Sequence, residues 1–533
     1  MSFFKIKHFL KTKIFTKTSG LILFGAGIAG VLTSALIYKN TKKFKPSFYN
    51  FKNYISEKNW EIISENFDYK EFDTVNQFTN AVLTRKAATG IGNDFLSVDL
   101  IKQNKLIPLD FQKIFNFSDE DVKTKRNLAN KLKTIYTEQM WEHLSSYDIS
   151  LNENIDDANF ETNKHLWEYF VPYFSQDMIV VYNPSKILGT DDYEKYYEFD
   201  KALVAKLTQE NPEDKAWTPN KITDYDALKT VKEAGFNNWQ ITDAVRDNMI
   251  YGSSFYYDKN TASYTDQYTT GSVVNPDGKL IYKDLIDQFS NMIQKSLNYS
   301  LTNPNLNFNG NGLELVEWIS NPDWPINAGI IYNGDAYDAF FSEDNFENVR
   351  PGTIRYIKPK NNILLVDGLV IASDTTKEYV DIIYDTLRRT FLEGITDQNG
   401  NLLDLSTVEN VDELGSVDNF YSVGYVPAYK NVYQYIKDHH FDEQFNEEFR
   451  NRMKTRYPNI SDTRWNEIFE YEINYVKNLY EITSEYTPLI PGTNQKLLSV
   501  NDGKYSVQHH KVEPVNQKEI TEIETYWNLK IRK

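Results

Sequence analysis

Residues 21–38 read LILFGAGIAGVLTSALIY, and inside them lies G-A-G-I-A-G, a literal match to G-x-G-x-x-G. As a nucleotide cradle these glycines would open a dinucleotide-binding fold. As part of an apolar helix they would put the chain in a membrane. The cradle needs a strand, a glycine turn, a helix with a polar outer face and an acid about 20 residues on. Here no charge occurs between Lys17 and Lys39, and the first acid after the glycines is Glu57. From Ser19 to Tyr38 every residue is apolar or small, over the ~20 residues that a helix needs to cross a bilayer. The stretch reads as a membrane segment.

Its flanks set the orientation. Lys5, Lys7, Lys11, Lys13 and Lys17 precede it without an acid, and Lys39, Lys42, Lys43 and Lys45 follow. A short basic head before a first span stays in the cytoplasm, whereas long domains translocate largely regardless of charge. Residues 1–18 are therefore expected to be a cytoplasmic tail and 19–38 an anchor or signal, with the rest of the chain on the extracytoplasmic face of the cell membrane. Thr33-Ser34-Ala35 offers a small-residue cleavage site, so an uncleaved anchor and a cleaved signal both fit. The chain has no cysteine, which excludes disulfides, thiolate metal sites, thiol nucleophiles and a lipid-bearing cysteine.

Formal net charge is −17, and residues 1–45 hold nine lysines and no acid, so the portion beyond them carries −26. Such a surface does not neutralise phosphates, which argues against nucleic acid as a partner. It suits a cationic ligand, although acidity also simply keeps proteins soluble.

From Phe48 onward, short apolar runs alternate with helical periodicity, the pattern of an α/β fold. FKNYISEKNWEIISENFDY (51–69) reads as a strand end and then a helix. DFLSVDLIKQNKLIPLD (94–110) reads as a helix closing on a turn. MIVVYN (178–183) is a short buried strand. NAGIIYNGDAYDAFF (327–341) reads as strand, Asn-Gly turn and helix. NILLVDGLVIASD (362–374) reads as a strand pair hinged at Asp367-Gly368, and residues 377–394 as an amphipathic helix stopped by Gly394. After Pro427 the texture changes. Phe441, Phe445 and Phe449 recur every fourth residue, and Trp465, Ile468, Phe469, Val476, Leu479 and Tyr480 form a second stripe. Residues 436–482 read as a helical insertion whose loss leaves ligand binding intact.

Catalytic signatures are missing. His439-His440 and His509-His510 are adjacent pairs rather than the i, i+4 pairs of helical metal sites, and read as surface histidines. DQNGN at 397–401 is a turn, because Leu402 and Val408 stand where a calcium loop needs glycine and glutamate. Neither a nucleophile elbow nor a P-loop occurs. The chain is expected to be no enzyme, with neither cofactor nor metal. What remains is aromatics beside carboxylates in loop positions: Phe51 and Tyr54, Asp94 and Phe95, Asp243 and Asp247, Tyr332 and Asp335, Asp367, and Tyr425. Aromatic faces attract cations by about 0.5–2 kcal/mol each, and hydrogen bonds from an ammonium to carboxylate add roughly 1.5–3 kcal/mol.

In order along the chain, these segments resemble the spermidine/putrescine-binding protein of bacterial ABC importers. FYNFKNYI resembles the family's opening strand, NDFLSVDLIKQNKLIPLD its helix ending in G-L-L-x-P-L-D, and VPYFSQDMIVVYN its I-P-Y-x-W-G-T-x-G-I-x-Y-N stretch. YDALK and ITDAVRD resemble W-x-D-L and D-x-R-E. IIYNGDAYDAFF, LLVDGLVIASD and VGYVPAY resemble x-W-N-G-D-A, W-x-D-x-L-A-I-P and G-Y-x-x-P-N. The matches are collinear from about residue 48 to 431, and ETYWNLKIRK resembles the family's last helix.

The resemblance implies a two-lobed α/β fold of the periplasmic-binding-protein type (type II). Residues 46–178 with 366–432 would form one lobe and 179–365 with 433–533 the other, with ligand in the cleft between them. By position, Phe51, Tyr54 and Phe95 match aromatic contacts, Tyr332 a stacking tryptophan, Asp247 and Asp367 carboxylates that each hold an amine, and Tyr425 a late aromatic contact. Asp94, Asp243 and Asp335 complete the candidate set. Leu365 replaces a tryptophan, Ala244 a carboxylate, and Ser175-Gln176 a Trp-Gly pair.

The function implied is capture of polyamine for uptake through ABC permease subunits and, through them, a cytoplasmic ATPase. The rival readings are a surface adhesin or scaffold with a degenerate binding fold, and a binding protein for another cationic solute, for Fe3+ or for a thiamine-type ligand. Residues 46–533 produced alone should stay in the aqueous phase on detergent partitioning, while the full chain should enter the detergent phase.

Overall fold

The computed structural model describes residues 44–532 apart from 191, 209–221, 260, 266, 342–348, 350–351, 483–484 and 487–504. The tail and anchor expected at 1–18 and 19–38 lie outside the described residues. Among those described, no helix is long and apolar enough to cross a membrane.

Short apolar runs become strands of two sheets. The first sheet has six strands in the order Val426–Pro427, Val171–Gln176, Leu365–Ile371, Thr89–Asn93, Ser47–Phe51 and Asp68–Phe72. The second has five: Arg355–Ile357, Met178–Tyr182, Ala328–Tyr332, Trp239–Thr242 and Leu306–Asn309. Ser47–Phe51 runs parallel to both neighbours, and Trp239–Thr242 is parallel to Ala328–Tyr332 and Leu306–Asn309. Parallel strands require crossover helices, which accounts for the strand–helix alternation of the sequence. The antiparallel interior is covered as well: every residue of Val171–Gln176, Met178–Tyr182 and Leu365–Ile371 is buried, as is every residue of Thr89–Asn93.

The chain passes between the sheets within single residues. Val171–Gln176 belongs to the first and Met178–Tyr182 to the second, with only Asp177 between. It returns after Asn361–Ile363, a strand that pairs in parallel with Gln508–His510, and Leu365–Ile371 then begins.

Several expectations change. Asp367-Gly368 is not a hairpin hinge: Leu365–Ile371 is one continuous strand, and the break falls at Leu364. Asn333-Gly334 is not a turn but the start of helix Asn333–Phe340, with Tyr332 at its N-cap. Helix Lys377–Arg388 ends before Gly394. His440 and His509 are not surface residues. His440 is buried against Tyr337, where burial lowers its pKa to about 4, and His509 Nε2 lies 3.2 Å from the buried Asp177.

The helical stripes of 436–482 are core, with Phe441, Phe445, Trp465, Ile468, Phe469 and Tyr480 all at most 2% exposed. They are not a detachable addition. Glu472 takes Arg355 of the second sheet bidentately, Nη2 to Oε1 at 2.8 Å and Nη1 to Oε2 at 3.2 Å, with both side chains at most 1% exposed. Asn333, on the helix that carries Asp335, donates to the Leu479 carbonyl at 3.3 Å. Removing the helices would take the Glu472 carboxylate away from a fully buried arginine. Glu472→Ala is expected to lower stability by about 3–5 kcal/mol in urea unfolding. Glu120→Ala, in an exposed pair with Lys123, should change it by less than about 1 kcal/mol.

Candidate functional site

Acids gather where strands run out. Trp239–Thr242 ends at Asp243, and Asp247 lies in the first turn of helix Val245–Ser253. Ala328–Tyr332 feeds helix Asn333–Phe340, with Asp335 in its first turn. The carboxyl ends of strands in α/β sheets form crevices, and free amides at a helix N-terminus favour negative charge.

Asp367 arrives differently, from inside a strand. It sits opposite Asn93 in the antiparallel ladder. A bulge in the facing strand makes Asp367 pair with Phe174 and Gly368 with Pro172, so that Tyr173 is the extra residue. Gly368 leaves room for Phe170, whose ring would stand 2.3 Å from a Cβ there.

A cleft of about 590 Å3 opens between these elements. Phe51, Tyr54, Phe95, Asp243, Asp247, Tyr332, Asp335, Asp367 and Tyr425 all line it. Asp94 does not. Its carboxylate accepts the Phe95 amide at 2.6 Å and lies 2.5 Å from His143 Nε2, and its side chain is 1% exposed. The expectation that Asp94 faces a ligand is corrected: as first residue of helix Asp94–Lys102 it fixes the start of the helix that carries Phe95.

Three carboxylates share one arrangement. Tyr54 Oη donates to Asp367 at 2.8 Å, Tyr332 Oη to Asp247 at 2.7 Å and Tyr425 Oη to Asp335 at 2.6 Å. Asp367 also accepts Asn93 Nδ2 at 2.6 Å and Gln176 Nε2 at 3.1 Å. Asp243 accepts the Trp527 indole at 2.6 Å. Asn93, Gln176, Arg246 and Trp527 were missed from sequence. Gln176, in the sequence only a departure from Trp-Gly, donates to Asp367. Trp527 had a signal in the resemblance of ETYWNLKIRK to a family helix.

Burial pushes the Asp367 carboxyl up to about 7 against the Tyr54 hydrogen bond, with the charges of Asp94 and Asp247 adding to the rise. Burial likewise takes Asp247 to about 7, opposed by Tyr332 and Arg246, and Asp335 to about 7, opposed by Tyr425. Arg246, a cleft residue, is itself lowered to about 10 by burial. Its Nη2 is spent on the carbonyls of Gly271 and Glu513, both at 2.9 Å. The lining holds seven acids (Asp73, Asp243, Asp247, Asp335, Asp338, Asp367 and Glu524) against three bases, Lys52, Arg246 and Arg532.

Residues 17–528 match the family described as hypothetical lipoprotein, MG045 family. The chain belongs to this family. Its 533 residues contain no cysteine to carry a lipid. No curated protein matches the chain. Among solved structures it is similar to a putative spermidine/putrescine ABC transporter from Listeria monocytogenes, at 14% identity and TM-score 0.41 over 91% of this chain and 98% of that one. It is also similar to the spermidine/putrescine substrate-binding protein PotD from Streptococcus pneumoniae, in complex with calcium and HEPES, at 14% identity and TM-score 0.39 over 82% and 100%. A third is an ABC transporter solute-binding protein from Agrobacterium vitis with bound D-mannitol, at 12% identity and TM-score 0.39 over 72% and 80%. These proteins differ in ligand, and the likeness assigns none to this chain.

The raised carboxyls have a measurable signature. The folded Asp367 holds its proton up to about pH 7, whereas an unfolded aspartate loses it near pH 4. Between those values the folded state binds more protons, so the contribution of Asp367 to stability falls as pH rises through that window and is level above it. In urea unfolding, the stability of the parent minus that of Asp367→Asn should decline by on the order of 2–4 kcal/mol from pH 4 to pH 8.

Proposed function

We propose that the cleft captures an amine cation, with spermidine and putrescine as first candidates, and that the chain presents it to ABC permease subunits outside the cytoplasm. The observation that carries this reading is the set of buried carboxylates held by neutral donors. Asp247, Asp335 and Asp367 are 4%, 6% and 2% exposed, and a tyrosine hydroxyl is the common partner. A carboxylate removed from water needs a counter-charge or it protonates. An ammonium supplies that charge and up to three hydrogen bonds. Phe51, Tyr54, Phe95, Tyr332, Tyr425 and Trp527 line the same space and offer faces to the methylenes and the charge. A place outside the membrane is supported by the uncharged stretch at 19–38 and by the family's description as a lipoprotein.

Capture of the cation by Asp367 predicts that Asp367→Asn weakens binding of spermidine and putrescine by roughly 10- to 150-fold in calorimetry, the equivalent of about 1.5–3 kcal/mol. Asp335→Asn should affect affinity less. Binding by the parent near neutral pH should also release protons, read as a dependence of the apparent enthalpy on buffer. Asp367→Asn binding like the parent would sink the amine site. A chain whose melting temperature no amine shifts would favour a scaffold, since ligand at 100 times Kd stabilises by about 2.7 kcal/mol.

A further inference from the structure

Tyr425 meets the second sheet at a point where no side chain stands. It leads into the first-sheet strand Val426–Pro427, while Gly334 and Asp335 follow the second-sheet strand Ala328–Tyr332. The Tyr425 hydroxyl donates to Asp335 Oδ1 at 2.6 Å. Its ring lies so close to Gly334 that a Cβ there would stand 1.7 Å from Cδ1 and 2.2 Å from Cε1. The contact therefore joins elements of the two sheets across the cleft.

Backbone conformation does not account for this glycine. Gly334 lies in helix Asn333–Phe340 and is not among the residues with positive φ. Helix propensity alone favours alanine over glycine, so the space taken by the Tyr425 ring is what excludes a side chain. Asp247 and Asp367, which line the same cleft as Tyr425, are at most 4% exposed. Parting the two sides of the cleft would break this contact.

We propose that Tyr425 seated on Gly334 and Asp335 is the latch of the closed cleft. Gly334 provides its socket, and Asp335 serves closure, leaving Asp247 and Asp367 to the solute. Gly334 and Asp335 are positioning residues. The assignment of Asp247 and Asp367 rests on the amine reading; the latch itself does not.

The test is a double-mutant cycle of Gly334→Ala and Tyr425→Ala, read by small-angle X-ray scattering without ligand and by spermidine calorimetry. Gly334→Ala should leave the circular dichroism spectrum unchanged, enlarge the radius of gyration and raise the spermidine Kd by at least ~10-fold through loss of the closed population. In the Tyr425→Ala background, where the ring is gone, Gly334→Ala should add nothing. Additive effects would mean that the alanine acts through its own helix, and would overturn the latch. So would Gly334→Ala scattering like the parent, or failing to fold, because a latch opens without unfolding either side. If the parent binds neither spermidine nor putrescine, the amine reading fails while the scattering cycle still decides the latch.

Discussion

A carboxylate taken out of water must find a positive partner, find several donors, or keep its proton. Three such groups crowd one cleft here, and much of the architecture follows from holding them. Strand ends deliver Asp247 and Asp335 to the first turns of helices, where the helix dipole favours negative charge. Asp367 lacks that support and takes three side-chain donors from three separate segments instead: Tyr54, Asn93 and Gln176. Each donor is neutral, so the acids stay orientated without being neutralised. Burial raises all three carboxyls to about 7.

The same economy of charge holds the two sheets to one another. Asp177, the single residue between Val171–Gln176 and Met178–Tyr182, is fully buried with Lys358 Nζ at 3.5 Å and His509 Nε2 at 3.2 Å. Its carbonyl accepts the Asn333 amide at 2.8 Å, and its amide donates to Asn333 Oδ1 at 3.1 Å. The return crossing is clasped by Gln508–His510, whose ends exchange backbone bonds with Lys360 and Leu364. The crossings are therefore buried, hydrogen-bonded joints rather than solvated linkers.

Much of this was legible along the chain, and the failures have physical causes. Strands buried on both faces are apolar runs, so MIVVYN and GIIY declared themselves. The carboxylate–aromatic pairs also stood out, because an acid beside an aromatic at a strand end has few purely local uses. Asn333-Gly334 misled because the same dipeptide suits a turn and a helix start, while the neighbouring Asp335 meets Tyr425, 90 residues away. Asp367-Gly368 looked like a hairpin because the bulge that accommodates it lies in another strand. The histidines, Gln176 and Arg355 were opaque for a similar reason: each is defined by a partner far off in sequence. The insertion at 436–482 read as separate because its stripes are self-consistent, while the charge that binds it to the second sheet, Glu472, is one acid among many in the sequence.

One further consequence lies in the order in which the polypeptide is made. Leu365–Ile371 is an interior strand of the first sheet, yet 274 residues separate Asp367 from its ladder partner Asn93. The clasp at the crossings and the Trp527 wall come later still. A chain emerging from the ribosome N-terminus first must therefore carry Thr89–Asn93 and Val171–Gln176 with open edges until their shared neighbour appears. Long-range pairing of this kind is slow, and open apolar edges invite association with other chains. The nascent polypeptide thus passes through a prolonged adhesive stage, which gives a chaperone or a translocation channel that keeps it extended a direct bearing on its yield.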